Sequence, residues 1–588
     1  MDRAFMIKTI KNKLGATAPN FDYLNDREVA ELYKKAMLPS INWELVEPFN
    51  FKCPYLSAND LAELLKTDGI RQHRKIKAYL DKFCSNSTNK MFAVYGLRRT
   101  GKSVLMRSKA LELMKEGRSV VFFDFEKESR GNLTFDDLLS DLKICKDNGV
   151  EYVFIDEITF LRRKATGGTG NEYFVPEFPE CGLDIYALLS RFGIHVVVSG
   201  TDSYCLSLAK GDKLFDRMTF LHTTPISYSE FVTLVGKTPV LDYLKIGGVL
   251  PRNIDLDWDE YLNTAIINNI VSSIQAIHPA RTNYRFNSIF RDEQIRTLIL
   301  YVLSMSDISF LSVVLDILYR REYSSQEFGD GTDLLSKRKP PILLPKDFRD
   351  KVKDLIIQRL GLTEIDPQML DYAKSEMEGV LRKLDAVTPF VLREITVIGS
   401  NTTIYQEKIY ALSIPGLRNY QLSRTLESVE DVVLDTVSVD DKTALSKTIS
   451  ESSEGHLLEY LLLSDTVRCL STSMYNVNQY RVLTDEKELV GEVDMVVENK
   501  STNELCLFEV KRSNVINEGQ VKHFIATDFM DGFSLAMPNL RVKSYNVIYL
   551  GKTVLDNVFS NESTGHSVNV RYINAEEYLL DITRWIGK

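Results

Sequence analysis

The stretch from Gly96 to Ser103, GLRRTGKS, decides how this chain is read. It fits the spacing G-x-x-x-x-G-K-[ST] at every fixed position. An apolar run, KMFAVYG, leads into it, and a helical run, SVLMRSKALELMKEG, follows and ends at Gly117. A strand feeding a glycine-containing loop that opens a helix is the context in which this spacing binds phosphate. Backbone N–H groups around Gly101 then cradle phosphate oxygens at a helix N-terminus. Lys102 pairs with the β- and γ-phosphates, Ser103 ligates Mg²⁺, and Leu97, Arg98, Arg99 and Thr100 form the body of the loop. A chance match in a turn is the competing reading, and the flanking strand and helix argue against it.

From about 90 to 235 the pattern alternates. SVVFFDF, VEYVFIDEI and IHVVVSGT read as further apolar strands, with helices TFDDLLSDLKICKDNG and LDIYALLSRFG between them. Continuous apolar strands separated by helices imply a parallel sheet covered on both faces. KATGGTGNEYFVPEFPECG reads as a long loop within that unit. In VFIDEI, Asp156 ends a strand where an acid reaches the metal shell, and Glu157 is placed to polarise the attacking water. In VVVSGTDS, Ser199 or Thr201 either senses the γ-phosphate or caps a turn. Arg217 is either a cation for transition-state charge, in cis or from a neighbouring subunit, or a plain surface arginine.

The 588 residues exceed what one hydrophobic core serves. A net charge of −9, from 72 basic and 81 acidic residues, argues against a protein coated in positive charge. It leaves room for local basic patches that steer a polyanion. Arg71, Arg74, Lys75 and Lys77 form one such cluster, readable as a nucleic-acid contact or as a solvated helix face. Just before it, Ser57 or Asn59 would cap a helix. The cysteines, seven and scattered, read as free thiols in a reducing compartment. The N-terminal residues lack a long apolar stretch, and Ile295–Tyr319 is interrupted by Asp307 and Asp316. A cytoplasmic protein with no membrane span is expected.

Near the C-terminus, ELVGEVDMVVENKSTNELCLFEVKR reads as two strands around the turn-forming NKSTN. Glu492, Asp494 and Val496 share a strand face, as do Leu507, Glu509 and Lys511. A loop of Ser501–Thr502, or of four residues from Lys500 to Asn503, puts Asp494 opposite Glu509. Two like charges so placed repel, and a divalent cation between them reverses the sign. Two carboxylates with water oxygens suit Mg²⁺ beside a phosphate, with Lys511 to orient water or stabilise developing charge.

Two resemblances follow from these residues. YGLRRTGKSVLM, YVFIDEI, VVVSGTDSY, PISYSEF and YLKIGGVLPR occur in order and resemble the archaeal-type AAA+ ATPases, over roughly residues 85–255 and 405–525. In that family a helical region and a DUF4143-like C-terminal domain, related to restriction-type nucleases, follow the ATPase. IPGLRNYQ and GHLLEYLLL resemble its second half, while the Gly-Thr-Asp-Ser turn departs from the family's Gly-Ser-Ser. The D…E-x-K hairpin resembles the PD-(D/E)xK nucleases, which implies a glutamate on the preceding helix, here Glu459. It also implies a glutamine on the next helix, here Gln520, with Phe524 replacing a tyrosine.

The implied architecture is α/β. A helical region (1–85) precedes a P-loop AAA+ domain (86–235), a helical, winged-helix-like middle with linker (236–450) and a restriction-endonuclease-like domain (451–588). The implied cofactors are ATP and Mg²⁺. The implied partner is DNA, with a second copy or a partner protein left open. The competing reading makes the D…E-x-K set an ion pair in an inactive nuclease fold within a nucleotide-switched regulator.

Overall fold

The computed structural model describes residues 50–68, 74–87, 89–125, 133–166, 172–176, 180–200, 214, 216–250, 256–271, 293–300, 302–303, 367–398, 401–434, 439–486, 489–560, 565 and 567–587. Helix α1 (Ala58–Thr67) starts where the sequence places a cap: Ser57 and Asp60 form a reciprocal capping box. Helix α2 (Lys77–Ser85) follows.

Strands β1 (Met91–Tyr95), β2 (Val120–Asp124) and β3 (Tyr152–Asp156) come next. Between them lie α3 (Lys102–Lys115) and α4 (Phe135–Asp147). The expected loop after β3 contains a two-stranded antiparallel ribbon, β4 (Arg162–Thr166) with β5 (Glu172–Pro176). Helix α5 (Glu180–Leu188), β6 (His195–Gly200) and β7 (Met218–His222) complete the unit. Five strands form one parallel sheet in the order β2-β3-β6-β1-β7. Along β1, Met91, Ala93 and Tyr95 enter one apolar cluster and Phe92 and Val94 the other, so both faces are covered.

The chain continues through α6 (Tyr228–Val235), α7 (Val240–Ile246) and α8 (Trp258–Tyr261), which runs on as a π-helical turn over Leu262–Ile267. After α9 (Pro367–Lys383) the expected helical middle departs from expectation. Residues Val387–Ile398 (β8) and Asn401–Leu412 (β9) form a long hairpin. They are the edge of a second sheet of eight strands, ordered β14-β15-β13-β12-β11-β10-β8-β9. Helices α10 (Pro415–Leu434) and α11 (Val439–Cys469) cover most of 426–455, an acidic, serine-rich stretch whose sequence allows either a linker or partial packing. Helix α11 therefore runs across the expected boundary at 450.

An antiparallel meander follows: β10 (Tyr475–Leu483), β11 (Leu489–Asn499) and β12 (Glu504–Val510). Helices α12 (Lys522–Ile525) and α13 (Thr527–Ala536) cross over to β13 (Arg541–Tyr549), which runs parallel to β12. Strands β14 (Val554–Ser560) and β15 (Ser567–Asn574) and two short helices, α14 (Ala575–Leu580) and α15 (Ile582–Ile586), close the chain.

The two sheets are joined by shared cores. Tyr228, Phe231 and Tyr243 pack in one cluster with Leu458, Phe508 and Trp585. Leu97 of the phosphate loop packs in another with Tyr261, Tyr410 and Leu417. Gly416 lets α10 approach α8: a Cβ there would fall 2.1 Å from the Trp258 ring. Among the described residues no helix is long and apolar enough to cross a membrane, and Cys53, Cys84, Cys145, Cys469 and Cys506 are free thiols.

Candidate functional sites

The phosphate loop leaves β1 at Gly96 and ends at Gly101, the N-cap of α3. Three of its residues have left-handed backbone: Gly96 (φ 149°), Arg99 (φ 60°) and Gly101 (φ 90°). Lys102 is buried, and its Nζ donates to the carbonyls of Gly96 (2.9 Å) and Leu97 (3.0 Å). Thr100 Oγ1 donates to Leu97 O at 2.7 Å and meets Thr223 Oγ1 at 2.8 Å. Ser103 sits in the first turn of α3, partly exposed. Gly96 lies against β7's end, where a Cβ would be 2.2 Å from Thr223 Oγ1 and 2.3 Å from Thr223 O. Gly96→Ala is therefore expected to cost roughly 1–3 kcal/mol by overpacking, read as a lowered urea midpoint.

The acids stand at neighbouring strand ends. Asp156 is fully buried, accepts a hydrogen bond from Ser199 Oγ, and has its Oδ2 without a hydrogen-bond partner. Burial, and then the Glu157 charge, push its pKa up to about 6 against the pull of Arg107 and Ser199. Arg107 of α3 bridges two acids, at 3.1 Å from Asp124 and 3.8 Å from Asp156. Glu157 holds a left-handed backbone (φ 58°), uncommon outside glycine, and its N–H donates to Ser199 Oγ at 3.2 Å. An observed backbone outlier beside a buried acid is a functional signal. Of the two sensor candidates, Ser199 faces the acid, and Thr201 lies outside the described residues.

Arg217 is not where a cis-acting cation is needed. It precedes Met218, which pairs with Met91 at the start of β1, whereas the loop follows Tyr95 at the other end. Strand rise separates the two ends by roughly 15 Å. Arg217 instead lies 5.8 Å from the Tyr186 ring. Of the basic cluster near residue 74, Arg71 lies outside the described residues, Lys75 is exposed as on a solvated helix face, and Arg74 departs from both readings. Arg74 is buried in an ion pair with Glu230 (2.7 Å), and Lys77 reaches Asp81 (2.9 Å) and Glu112 (2.8 Å).

The second constellation lies at the end of the meander. The β11–β12 ladder runs from Asn499–Glu504 to Met495–Phe508, leaving Lys500–Asn503 as a four-residue loop. One step further, that register sets Asp494 opposite Glu509, as the longer of the two loops requires. Against β10 the register slips: Asn478 faces Val496 and Tyr480 faces Val493. Asp494 and Met495 together thus oppose Gln479, a bulge of the kind that re-aims side chains. Asp494 Oδ2 accepts the Val510 N–H at 2.7 Å, beyond the ladder's last pair.

Lys511 Nζ lies 2.8 Å from Glu509 Oε2 and 3.5 Å from Asp494 Oδ2. Glu509 is 3 % exposed, and its Oε1 has no hydrogen-bond partner. Burial, and then the Asp494 charge, push Glu509 up to about 8, with Lys511 opposing. Glu459 on α11 belongs to the same field: burial first, then Asp494, raise it well above the ordinary carboxylate range. Glu492 is raised by burial and by Asp494 and is held by Arg481 at 3.1 Å.

Gln520 stands apart in its bonding. It lies in a 3₁₀ turn, Glu518–Val521, where its side chain accepts from Asn517 N (3.1 Å) and donates to Val515 O (3.0 Å). Phe524 is fully buried in the apolar core. Sequence reasoning overlooked His523, whose pKa burial lowers to about 4 with Lys522 and Lys511 nearby. Among the described residues, no group of three or more His, Cys, Asp or Glu gathers as a metal cage.

Residues 88–232 match the family model of the AAA domain. With the parallel sheet and its phosphate loop, this region is an AAA-type ATPase domain of the P-loop NTPase fold. Solved structures similar to the chain include the S. cerevisiae Hsp104:casein complex in its extended conformation, at 13% identity, 55% of this chain, 52% of that one and TM-score 0.22. AMPPCP-bound DnaA from Aquifex aeolicus matches at 13% identity, 52% of this chain, 87% of that one and TM-score 0.20. The chain spans about half the length of the Hsp104 chain it matches. No curated protein matches the chain.

Proposed function

We propose that this protein couples ATP hydrolysis in its AAA-type domain to metal-dependent phosphodiester cleavage of DNA at the end of the β11–β12 hairpin. The observation that carries the second half is the meeting of Asp494, Glu509 and Lys511, with Glu459 within their field. Both carboxylate sites fit a hard cation, since each keeps a buried oxygen without a hydrogen-bond donor, Asp156 Oδ2 and Glu509 Oε1. Ser103 and Asp156 would hold Mg²⁺ at the nucleotide, and Asp494 and Glu509 at the phosphodiester. A divalent ion supplies charge neutralisation and water activation there. Lys511 donates to Glu509, lies in ion-pair range of Asp494, and stands ready to stabilise charge on phosphate oxygens. The test is cleavage of duplex DNA, single strands and RNA by wild type, Asp494→Asn and Glu509→Gln, with Mg²⁺ or Mn²⁺ and ATP.

The sign of the pH dependence follows from Glu509. With its pKa at about 8, the metal-free carboxyl holds its proton at pH 7. A cation must displace that proton, so metal affinity rises with pH up to about 8 and then levels off. Titration calorimetry at pH 7 in buffers of different ionisation enthalpy is expected to show close to one proton released per Mn²⁺. Glu509→Gln abolishes that release.

One observation favours a second reading, a nucleotide-switched regulator with a retired nuclease fold. Lys511 already supplies a cation to both carboxylates, at 2.8 and 3.5 Å. In that case millimolar Mn²⁺ produces neither heat nor proton release.

A further inference from the structure

The carbonyls of the phosphate loop are each held by a donor, and three of the donors come from outside the loop. Arg98 O accepts from the Tyr261 hydroxyl (2.9 Å), Arg99 O from the Leu250 N–H (2.8 Å) and Thr100 O from Arg74 (2.7 Å). Gly96 O and Leu97 O are taken by Lys102. In a trans peptide the C=O and the following N–H point in opposite directions. Anchoring those three carbonyls turns the N–H groups of Arg99, Thr100 and Gly101 to the opposite side, where a phosphate needs donors.

We infer that Arg74 and Tyr261 are positioning residues of the nucleotide site, holding the loop's N–H groups in their phosphate-binding orientation. The inference rests on the ATP-binding reading of that loop. Arg74 is itself fixed. Its guanidinium makes a two-bond fork to Glu230 (3.0 and 2.7 Å) and donates also to Thr224 O (2.9 Å). It is 5 % exposed, and a Cβ on Gly101 would sit 3.4 Å from its Cδ. A planar fork with this many fixed partners is a geometry that lysine does not reproduce. Tyr261 is anchored from the other side. Its ring packs edge-on to Trp258 at 5.7 Å and shares a core with Leu97 of the loop, Tyr410 and Leu412 of β9 and Leu417 of α10. The loop is thus tied at Thr100 to the segment before the sheet, and at Arg98 to the elements that carry the second sheet.

The test uses the full chain and separates KM from kcat. Tyr261→Phe removes one hydroxyl, leaves the Arg98 carbonyl without that donor, and is expected to raise KM for ATP about fivefold or more. Its kcat should stay within about twofold, and its melting temperature should fall by no more than a few degrees, since one hydrogen bond is lost while the ring keeps its packing. Arg74→Lys is expected to raise KM by at least about tenfold, and Arg74→Ala by more, through loss of the fork. MgADP binding, followed by fluorescence of a labelled nucleotide, should weaken in the same order. An unchanged KM in Tyr261→Phe overturns the inference while leaving the ATPase reading intact, even if the Arg74 variants fail to fold. A wild type that neither binds MgADP nor releases phosphate overturns both.

Discussion

Lys102→Ala is expected to lower ATP turnover by at least about 10²–10³-fold, the scale seen when one preorganised electrostatic donor is removed from a charged transition state. The Lys102 ammonium rests on Gly96 O and Leu97 O, at 2.9 and 3.0 Å. Those carbonyls hold the charge in place and 4 % exposed, close to where phosphate oxygens will arrive. Phosphoryl transfer needs little covalent chemistry from the protein, so positioning and charge stabilisation dominate the effect. The alanine also removes a donor from two carbonyls. The melting temperature must therefore be measured alongside phosphate release at saturating MgATP. Lys102→Arg keeps a charge and a donor for those carbonyls while misplacing the point charge, so it should fold normally and still turn over poorly. Turnover above about a tenth of wild type in both variants, against that expected scale, removes the ATPase assignment.

What can be read in the sequence is what depends on neighbours along the chain. The phosphate loop, its strand and its helix are set by spacing within a few residues, and Ser57 with Asp60 make their own capping box. The Asp494–Glu509 pairing is accessible because hairpin register follows loop length and period two, with Lys500–Asn503 as the loop. The bulge at Asp494 is not, because it is defined against Gln479 on another strand. Arg74 reads as part of a basic helix face, since its carboxylate partner, Glu230, is 156 residues away. Arg217 sits beside a strand, but only strand pairing reveals which end of the sheet it occupies. The β8–β9 hairpin has strand-like composition, yet Pro389 demotes such a run. The proline is tolerated because pairing with β10 begins only at Val391, past it.

Asp494→Asn and Glu509→Gln are each expected to abolish nucleic-acid cleavage, by about 10²-fold or more, while ATP hydrolysis stays within about twofold of wild type. Both replacements keep shape. In Asp494→Asn the amide retains an oxygen for the Val510 N–H, which Asp494 accepts at 2.7 Å. In Glu509→Gln the amide keeps an oxygen for the Lys511 ammonium, 2.8 Å from Glu509 Oε2, and Asp494 still balances that charge at 3.5 Å, so the fold is expected to hold, with the melting temperature measured alongside cutting. A loss of cutting in these variants is therefore a loss of chemistry. The opposite outcome is equally informative. If wild type cuts none of duplex DNA, single strands or RNA with Mg²⁺ or Mn²⁺, the buried Glu509 is a cost without a catalytic return. Glu509→Gln then leaves nucleotide turnover untouched, and Lys511 is what keeps that acid tolerable in the sheet. If cleavage persists in both variants, the phosphodiester site lies elsewhere, and the hairpin's carboxylates hold the fold and nothing more.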